Sequence, residues 1–269
     1  MGAPGHAGQR RSSARLRLPG LGPRQRRAGQ RQGRHGPPSR ARRDRETCPE
    51  VAVPSTSLRG RRVLITSGPT REYLDPVRFL TNASSGAMGF ALAAAARAAG
   101  ARVSVVSGPT ALRAPRGVEV VRVTAALEMR REVLRRVRAA DLIIGAAAVC
   151  DWRLVRVARH KIKRGPGRVS MNLTPNPDII KAAASRRRPG QVFIGFALET
   201  RAKEANARAK LKRKGLDLVA ANGPSCLASG RARLTLVGRT GDVRLPEMPK
   251  ARAARAILAE ATRLLELRD

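Results

Sequence analysis

The stretch at residues 62–108, RVLITSGPTREYLDPVRFLTNASSGAMGFALAAAARAAGARVSVVSG, decides the fold. A short apolar run at 63–65 ends in Ser67-Gly68-Pro69-Thr70. A long polar connection follows, and then Ser84-Ser85-Gly86-Ala87-Met88-Gly89 opens an Ala-rich helix predicted over 86–99, with Gly100 as its stop. A second apolar run at 103–106 ends in Ser107-Gly108-Pro109-Thr110. This is a strand–helix–strand unit with both strand ends marked by Gly-Pro. In open parallel sheets the ligand lies beyond the carboxyl ends of the strands. The two Gly-Pro turns and the helix start at 82–89 are therefore expected to face one cleft.

The same alternation continues outward. Residues 118–123 read as a third strand, and Thr124 as the N-cap of a helix over 125–138. The run DLIIG at 141–145 has the uninterrupted apolar centre of a strand covered on both faces. Alternation then stops: residues 150–173 are polar and read as an excursion over the site. Asn176-Pro177-Asp178 starts a helix near Ile179, and 192–196 is another core strand. A charged helix over 201–214 stops at Gly215, a strand covers 216–220, a hairpin turns at Thr240-Gly241, and a closing helix covers 250–267. The pattern predicts a three-layer, Rossmann-like α/β domain whose mostly parallel sheet carries a flap and a small antiparallel hairpin. It contains no internal repeat.

The ordered domain is expected at 59–269. Residues 1–58 are Arg, Gly, Pro, Gln and Ser without apolar periodicity, and are expected to be a disordered extension. The formal net charge of the chain is +36, a basic excess that also extends well beyond that segment. Such a balance attracts polyanions without choosing among nucleic acid, anionic membrane and nucleotide. Aromatic residues make up only 2%, so there is no stacking pattern of the kind single-stranded nucleic acid requires, and specific nucleic-acid binding is not expected. Cys48, Cys150 and Cys226 are far apart and form no CxxC pair, which suits a reducing cytoplasm. No run approaches the ~20 apolar residues of a membrane span.

Five groups could carry chemistry. Asn82, with the phosphate-loop candidates Ser84, Ser85 and Gly86, sits at a helix start where backbone N–H groups bind phosphate, although Ser85 as an ordinary cap fits the residues equally well. Arg78 is able to clamp a carboxylate or phosphate, and from spacing alone a structural ion pair with Asp75 serves as well. Gly145, Ala146 and Ala147 let a ligand lie against backbone, and Asp151 follows as a candidate for a base, a ribose or a metal, with Trp152, whose bland role is packing, beside it. Lys161, in Lys161-Ile162-Lys163, is placed to reach phosphates if its segment closes, or only solvent if it does not. Lys210 and Lys214 share one helix face and meet either a triphosphate or water. Pro177, Asp178, Ile179, Ile180 and Phe196 complete the residues expected near strand ends. Three scattered His cannot make a zinc site, and which residues hold a metal, if any, is left open.

Taken in order, TSGPTREYLDPVRFLTNASSGAMG, AAAVCDWR, KIK, NPDII, GFALET and KxxxKGLDLVAAN resemble phosphopantothenate–cysteine ligase, also called phosphopantothenoylcysteine synthetase. In most bacteria that domain is the C-terminal part of a bifunctional coenzyme A biosynthesis protein, fused to a flavin-dependent decarboxylase. The resemblance covers about residues 61–267. Residues 1–58 are too short and polar to be the flavoprotein half, so any decarboxylase partner is expected to be a separate protein, and whether one exists is left open.

The resemblance implies a two-step ligase. The carboxylate of 4′-phosphopantothenate attacks the α-phosphate of CTP, and the amine of cysteine then displaces CMP from the acyl-cytidylate. It also implies Mg²⁺ with the nucleotide and a homodimer. By position, Asn82 matches the residue that holds the acyl-cytidylate, Arg78 a substrate Arg, and Lys161 the Lys of the covering flap. Gly145, Ala146, Ala147, Asp151, Pro177, Asp178, Ile179, Ile180, Phe196, Lys210 and Lys214 match nucleotide contacts. The chain departs from the pattern at Ala87 and Pro175, where Lys is usual, at Cys150 and Leu198, where Ala is usual, and at Gly223, where Asp is usual. The alternatives are a catalytically weak remnant of the bifunctional protein and a basic nucleic-acid-binding protein using residues 1–58. A dehydrogenase of the same fold would need a GxGxxG after Ile65, which is missing.

Overall fold

The computed structural model describes residues 57–227 and 229–269. The expected disorder of the N-terminal extension therefore lies outside the described residues up to position 56. Leu58, expected to belong to that extension, is in the core instead. It is 1% exposed, and its N–H donates to the Ala99 carbonyl at 2.9 Å.

In chain order the elements are β1 (Arg62–Ser67), the hairpin β2 (Arg71–Tyr73) and β3 (Phe79–Thr81), α1 (Ala87–Ala98), β4 (Arg102–Ser107), β5 (Glu119–Arg122), α2 (Ala126–Arg136) and β6 (Leu142–Gly145). A second short ladder joins β7 (Trp152–Leu154) to β8 (Leu173–Pro175). Then come α3 (Ile179–Ala184), β9 (Val192–Leu198), α4 (Lys203–Lys214), β10 (Leu218–Asn222), β11 (Arg231–Gly238), β12 (Asp242–Pro249) and α5 (Lys250–Glu266).

The main sheet runs β12-β11-β10-β9-β6-β1-β4-β5. From β10 to β5 every pairing is parallel, and the β10–β11 and β11–β12 pairings at the other edge are antiparallel. The chain builds outward from β1 through β4 to β5, returns to the other side of β1 at β6, and continues away. The order thus reverses between β1 and β6, the place where such sheets bind ligands.

Strand alternation assigns the two faces. Val63, Ile65, Leu142 and Ile144 pack with Phe90, Leu92 and Ala96 of α1 and with Ile257 and Leu258 of α5. Leu64, Ile143 and Phe193 point the other way, onto Met129 and Val133 of α2, Ile179 of α3 and Leu211 of α4. Both faces are covered, which is why the strands read as unbroken apolar runs. The run of Ala in α1 favours a helix, having no β-branched residue to restrict, and its small side chains let α1 pack on α5.

Three expectations change. The polar connection after β1 is the β2–β3 hairpin. Thr124 does not cap α2: the helix starts after Ala125 with no side-chain cap of its own. Instead Glu72 of β2 accepts the Ala126 N–H at 2.9 Å, and Glu128 accepts the Thr124 N–H at 2.8 Å. Two carboxylates serve the helix start, and one of them comes from another element. The C-terminal hairpin turns where expected, but its strands are longer than the apolar pattern.

At the amino ends of β9 and β10 sits Asp217, 1% exposed. It accepts the Phe193 N–H at 2.8 Å and pairs with Arg187 at 2.9 Å, Arg268 at 2.6 Å and Arg239 at 3.2 Å. This cluster ties the C-terminal end to the sheet on the side away from the ligand end.

Candidate functional site

A cleft of about 710 Å³ opens at the carboxyl ends of β1, β6, β9 and β10. Its base is the segment after β6. Beyond Gly145 the chain keeps running beside the end of β1: the Ala147 N–H donates to Thr66 Oγ1 at 3.2 Å, and the Ala148 N–H to the Gly68 carbonyl at 2.9 Å. Because these residues are small, backbone rather than side chain faces the cleft.

One wall is the turn at 82–86 and the first residues of α1. Gly86 starts the helix in the left-handed region, at φ 80°. The helix lies so close to β1 that a Cβ at Gly89 would come within 2.4 Å of Ser67 Oγ, so only Gly fits there. Ser84 Oγ and Ser85 Oγ stand at a long 3.4 Å from the Gly86 and Ala87 N–H groups, and the first turn has no proper side-chain cap. Its N–H groups remain able to bind an anion.

Asn82 spends both amide hydrogens on the protein, donating Nδ2 to the Ala148 carbonyl at 3.2 Å and the Val149 carbonyl at 3.0 Å. These carbonyls fix the amide's orientation, so its Oδ1 is the end left for a ligand, as an acceptor. Asp151 is exposed in the cleft, and its carboxylate has no partner among the described residues. Its carbonyl accepts the Asn176 N–H at 2.7 Å, and Asn176 Nδ2 donates to the Cys150 carbonyl at 2.9 Å. Cys150 is 6% exposed, and burial pushes its thiol pKa up, which disfavours the thiolate that a nucleophile requires. Trp152, half-exposed, lines the cleft rather than the core.

The opposite wall holds Pro177, Asp178, Ile179, Ile180, Phe196, Lys210 and Lys214. Asp178 caps α3 by accepting the Lys181 N–H at 3.1 Å, and its other oxygen lies 2.8 Å from Lys214 Nζ. Lys210 Nζ donates to the Phe196 carbonyl at 2.5 Å. Burial, then the neighbouring charge of Lys214, brings the Lys210 pKa down to about 8.

Asn82, Ser84, Ser85, Gly86, the loop from Gly145 to Asp151 and the far-wall residues therefore meet in one cleft. Arg78 and Lys161 do not line it. Arg78 realises the ion-pair reading: Nε and Nη2 reach Asp75 Oδ2 at 3.0 and 2.6 Å, and Nη2 also donates to the Ile162 carbonyl at 2.5 Å. Asp75 in turn accepts the Ile162 N–H at 3.1 Å, with the Val77 and Arg78 N–H groups on its other oxygen. The pair holds the backbone of Ile162, next to the exposed Lys161, and so docks the 155–172 segment on the β2–β3 hairpin. The Gly-Pro turns are also absent from the lining. Gly108 and Pro69 instead abut each other, since a Cβ at Gly108 would fall 1.8 Å from the Pro69 carbonyl oxygen.

Residues beyond those expected also border the cleft, among them Glu199, Asn222, Cys226, Leu227 and Lys250. Glu199 and Asn222 belong to GFALET and AAN, whose role sequence spacing does not specify. Among the described residues no group of three or more His, Cys, Asp or Glu is placed to hold a metal. No helix among them is long and apolar enough to cross a membrane.

Residues 58–265 match the family model described as DNA/pantothenate metabolism flavoprotein C-terminal domain. The chain is 44% identical over 207 residues to the coenzyme A biosynthesis bifunctional protein CoaBC of Vibrio cholerae serotype O1, covering 75% of this chain and 52% of that protein. It is 41% identical over 216 residues to the protein of that name from Bacillus subtilis, covering 78% and 53%. It thus spans about half the length of the curated relatives it matches. The crystal structure of the C-terminal domain of such a protein superimposes with a TM-score of 0.69 at 38% identity, covering 79% of this chain and 99% of that one.

Proposed function

This chain belongs to the DNA/pantothenate metabolism flavoprotein C-terminal domain family, and from that premise we propose that it joins 4′-phosphopantothenate to cysteine in coenzyme A biosynthesis. The proposed course runs through an acyl-cytidylate formed from CTP. The observation that carries the reading is the meeting of Asn82, Asp151, Lys210 and Lys214 in one cleft at the point where the sheet order reverses.

A carboxylate is a poor acyl donor, and a phosphoanhydride supplies the leaving group it lacks. The protein has to neutralise the triphosphate, hold the acyl phosphate away from water and present the amine. In this reading the N–H groups at the start of α1 and the ammonium groups of Lys210 and Lys214 meet the phosphate oxygens. Asp151, with no partner of its own, accepts from the ribose or the base. Asn82 Oδ1 accepts from a donor on the acyl intermediate and is fixed before it arrives. Mg²⁺ would accompany the triphosphate. When bound it supplies charge neutralisation.

In this reading Lys161 reaches the intermediate only when the 155–172 segment leaves its docked position. The protein works as a homodimer in the cytoplasm, and a flavin-dependent decarboxylase takes the product. The test is pyrophosphate release from CTP with phosphopantothenate and cysteine, compared with ATP as the nucleotide. Release that does not exceed that of Asn82→Ala overturns the ligase reading, and faster release from ATP overturns the choice of CTP.

A further inference from the structure

One end of the cleft is built from residues to which the nucleotide and phosphopantothenate roles above give no part. Asn222 ends β10, and its Oδ1 is buried without a hydrogen-bond partner. A buried amide oxygen left unpaired has lost its water without a replacement, so it is a place where a ligand donor gains. Glu199 follows β9 directly beside it, its N–H donating to the Asn222 carbonyl at 3.0 Å. One Glu199 oxygen accepts Asn206 Nδ2 at 2.8 Å, and the other is without a partner among the described residues. Lys250 opens α5 and also lines the cleft, its Nζ bound to no group among the described residues. Burial lowers its pKa, as expected of an ammonium facing partly into protein. Leu198 and Leu227 provide apolar surface in the same cleft.

Two acceptors, a cation and an apolar wall match a zwitterion with a short, weakly polar side chain. We propose that Glu199, Asn222 and Lys250 form the subsite for the amino acid that supplies the attacking amine. This rests on the ligase reading and specifies its second substrate site. The ammonium sits between the Glu199 carboxylate and Asn222 Oδ1, the α-carboxylate on Lys250, and the thiol-bearing side chain against the leucines. In the transfer step the ammonium gives one proton to Glu199. The amine nitrogen then bonds to the acyl carbon, and the acyl C–O bond breaks with its electron pair left on the phosphate oxygen of departing CMP. The second amine proton goes to solvent. Lys210 lies within electrostatic reach of Glu199, which places the subsite next to the nucleotide phosphates.

The Asn222 amide oxygen and the Lys250 ammonium make no hydrogen bond or ion pair among the described residues, so Asn222→Ala and Lys250→Met break none, and Glu199→Gln keeps the Asn206 bond. Steady-state kinetics on the full chain are expected to show the KM for cysteine raised about tenfold or more in each variant, with the KM for CTP changed less than about twofold. Lys250→Arg is expected to recover most of the cysteine affinity. An unchanged KM for cysteine overturns the proposal. So does loss, in the variants, of the pyrophosphate burst measured without cysteine, because that result assigns these residues to the nucleotide. If the wild-type chain releases pyrophosphate but never consumes cysteine, the ligase reading falls and the subsite with it. A wild type that makes product while the variants keep its cysteine KM removes the subsite alone.

Discussion

Lys210 Nζ donates to the backbone carbonyl of Phe196 at 2.5 Å, deep in the cleft wall, while Lys214 one turn later is neutralised by Asp178 at 2.8 Å. The two lysines on one helix face are therefore not equivalent. Burial, then repulsion from Lys214, brings Lys210 down to about pKa 8, whereas a bound triphosphate favours its charged form. Nucleotide binding is thus expected to take up a proton near and above pH 8, and affinity to fall as pH rises through that value. Calorimetry in two buffers of different ionisation enthalpy checks this, and Lys210→Met is expected to flatten the dependence. Stability moves the opposite way. The folded pKa lies below the unfolded value of about 10.4, so the unfolded state holds more protons between the two, and stability without ligand rises with pH across that window.

Asp75 and Arg78 are expected to act as the latch of the 155–172 segment. Burial raises the Asp75 pKa, but the N–H groups of Val77, Ile162 and Arg78 and the Arg78 guanidinium outweigh it and hold the carboxyl far below the usual carboxylate range. Its contribution is complete above the unfolded value of about 3.9 and is lost only in stronger acid. Arg78→Lys cannot keep two contacts to Asp75 and one to the Ile162 carbonyl. The variant should release the segment, seen as faster trypsin cleavage after Lys161, Lys163 and Arg164 and faster exchange of the Ile162 amide, with little change in global unfolding.

Ala87 occupies the first position of α1 at the cleft wall. Ala87→Lys is expected to tighten CTP binding several-fold, an effect weakened by salt. A cation at a helix N-terminus opposes the macrodipole, so the ligand-free protein should lose about 0.3–1 kcal/mol of stability. Binding titrations at low and high salt, with thermal unfolding without ligand, test both signs. Equal affinity in the two proteins would place the phosphates elsewhere.

Asp217 is the buried anion shared by Arg187, Arg239 and Arg268. Asp217→Asn keeps the shape but removes the charge, and is expected to cost about 3 kcal/mol in denaturant unfolding. Because the cluster lies at the amino ends of the strands, the KM for CTP should be unchanged where the variant remains folded.

Much of this architecture is legible locally. The apolar runs at 63–65, 103–106 and 141–145, each closed by small or Gly-Pro residues, specify buried parallel strands, because side-chain periodicity and backbone permissiveness act over a few residues. The positions of Asn82, Asp151, Lys210 and Lys214 follow, since each sits at a strand end or on a helix face whose orientation the alternation sets. The Thr124 cap is where local reading fails: a Thr before an apolar-periodic segment is a good cap on its own, but the carboxylate of Glu72, 54 residues earlier, takes the Ala126 N–H instead.

The amino-acid sequence by itself thus determined the α/β layers, the ligand end of the sheet and the residue types that gather there. Tertiary structure decided which of them have partners. Arg78 is bound to Asp75 and Ile162, Lys214 is neutralised, Lys210 is desolvated, and Asn222 is left with an unpaired oxygen. The physical reason is range. Helix and strand preferences and alternation are properties of neighbouring residues, whereas desolvation, ion pairing and the satisfaction of a buried amide depend on groups that folding brings together from distant parts of the chain.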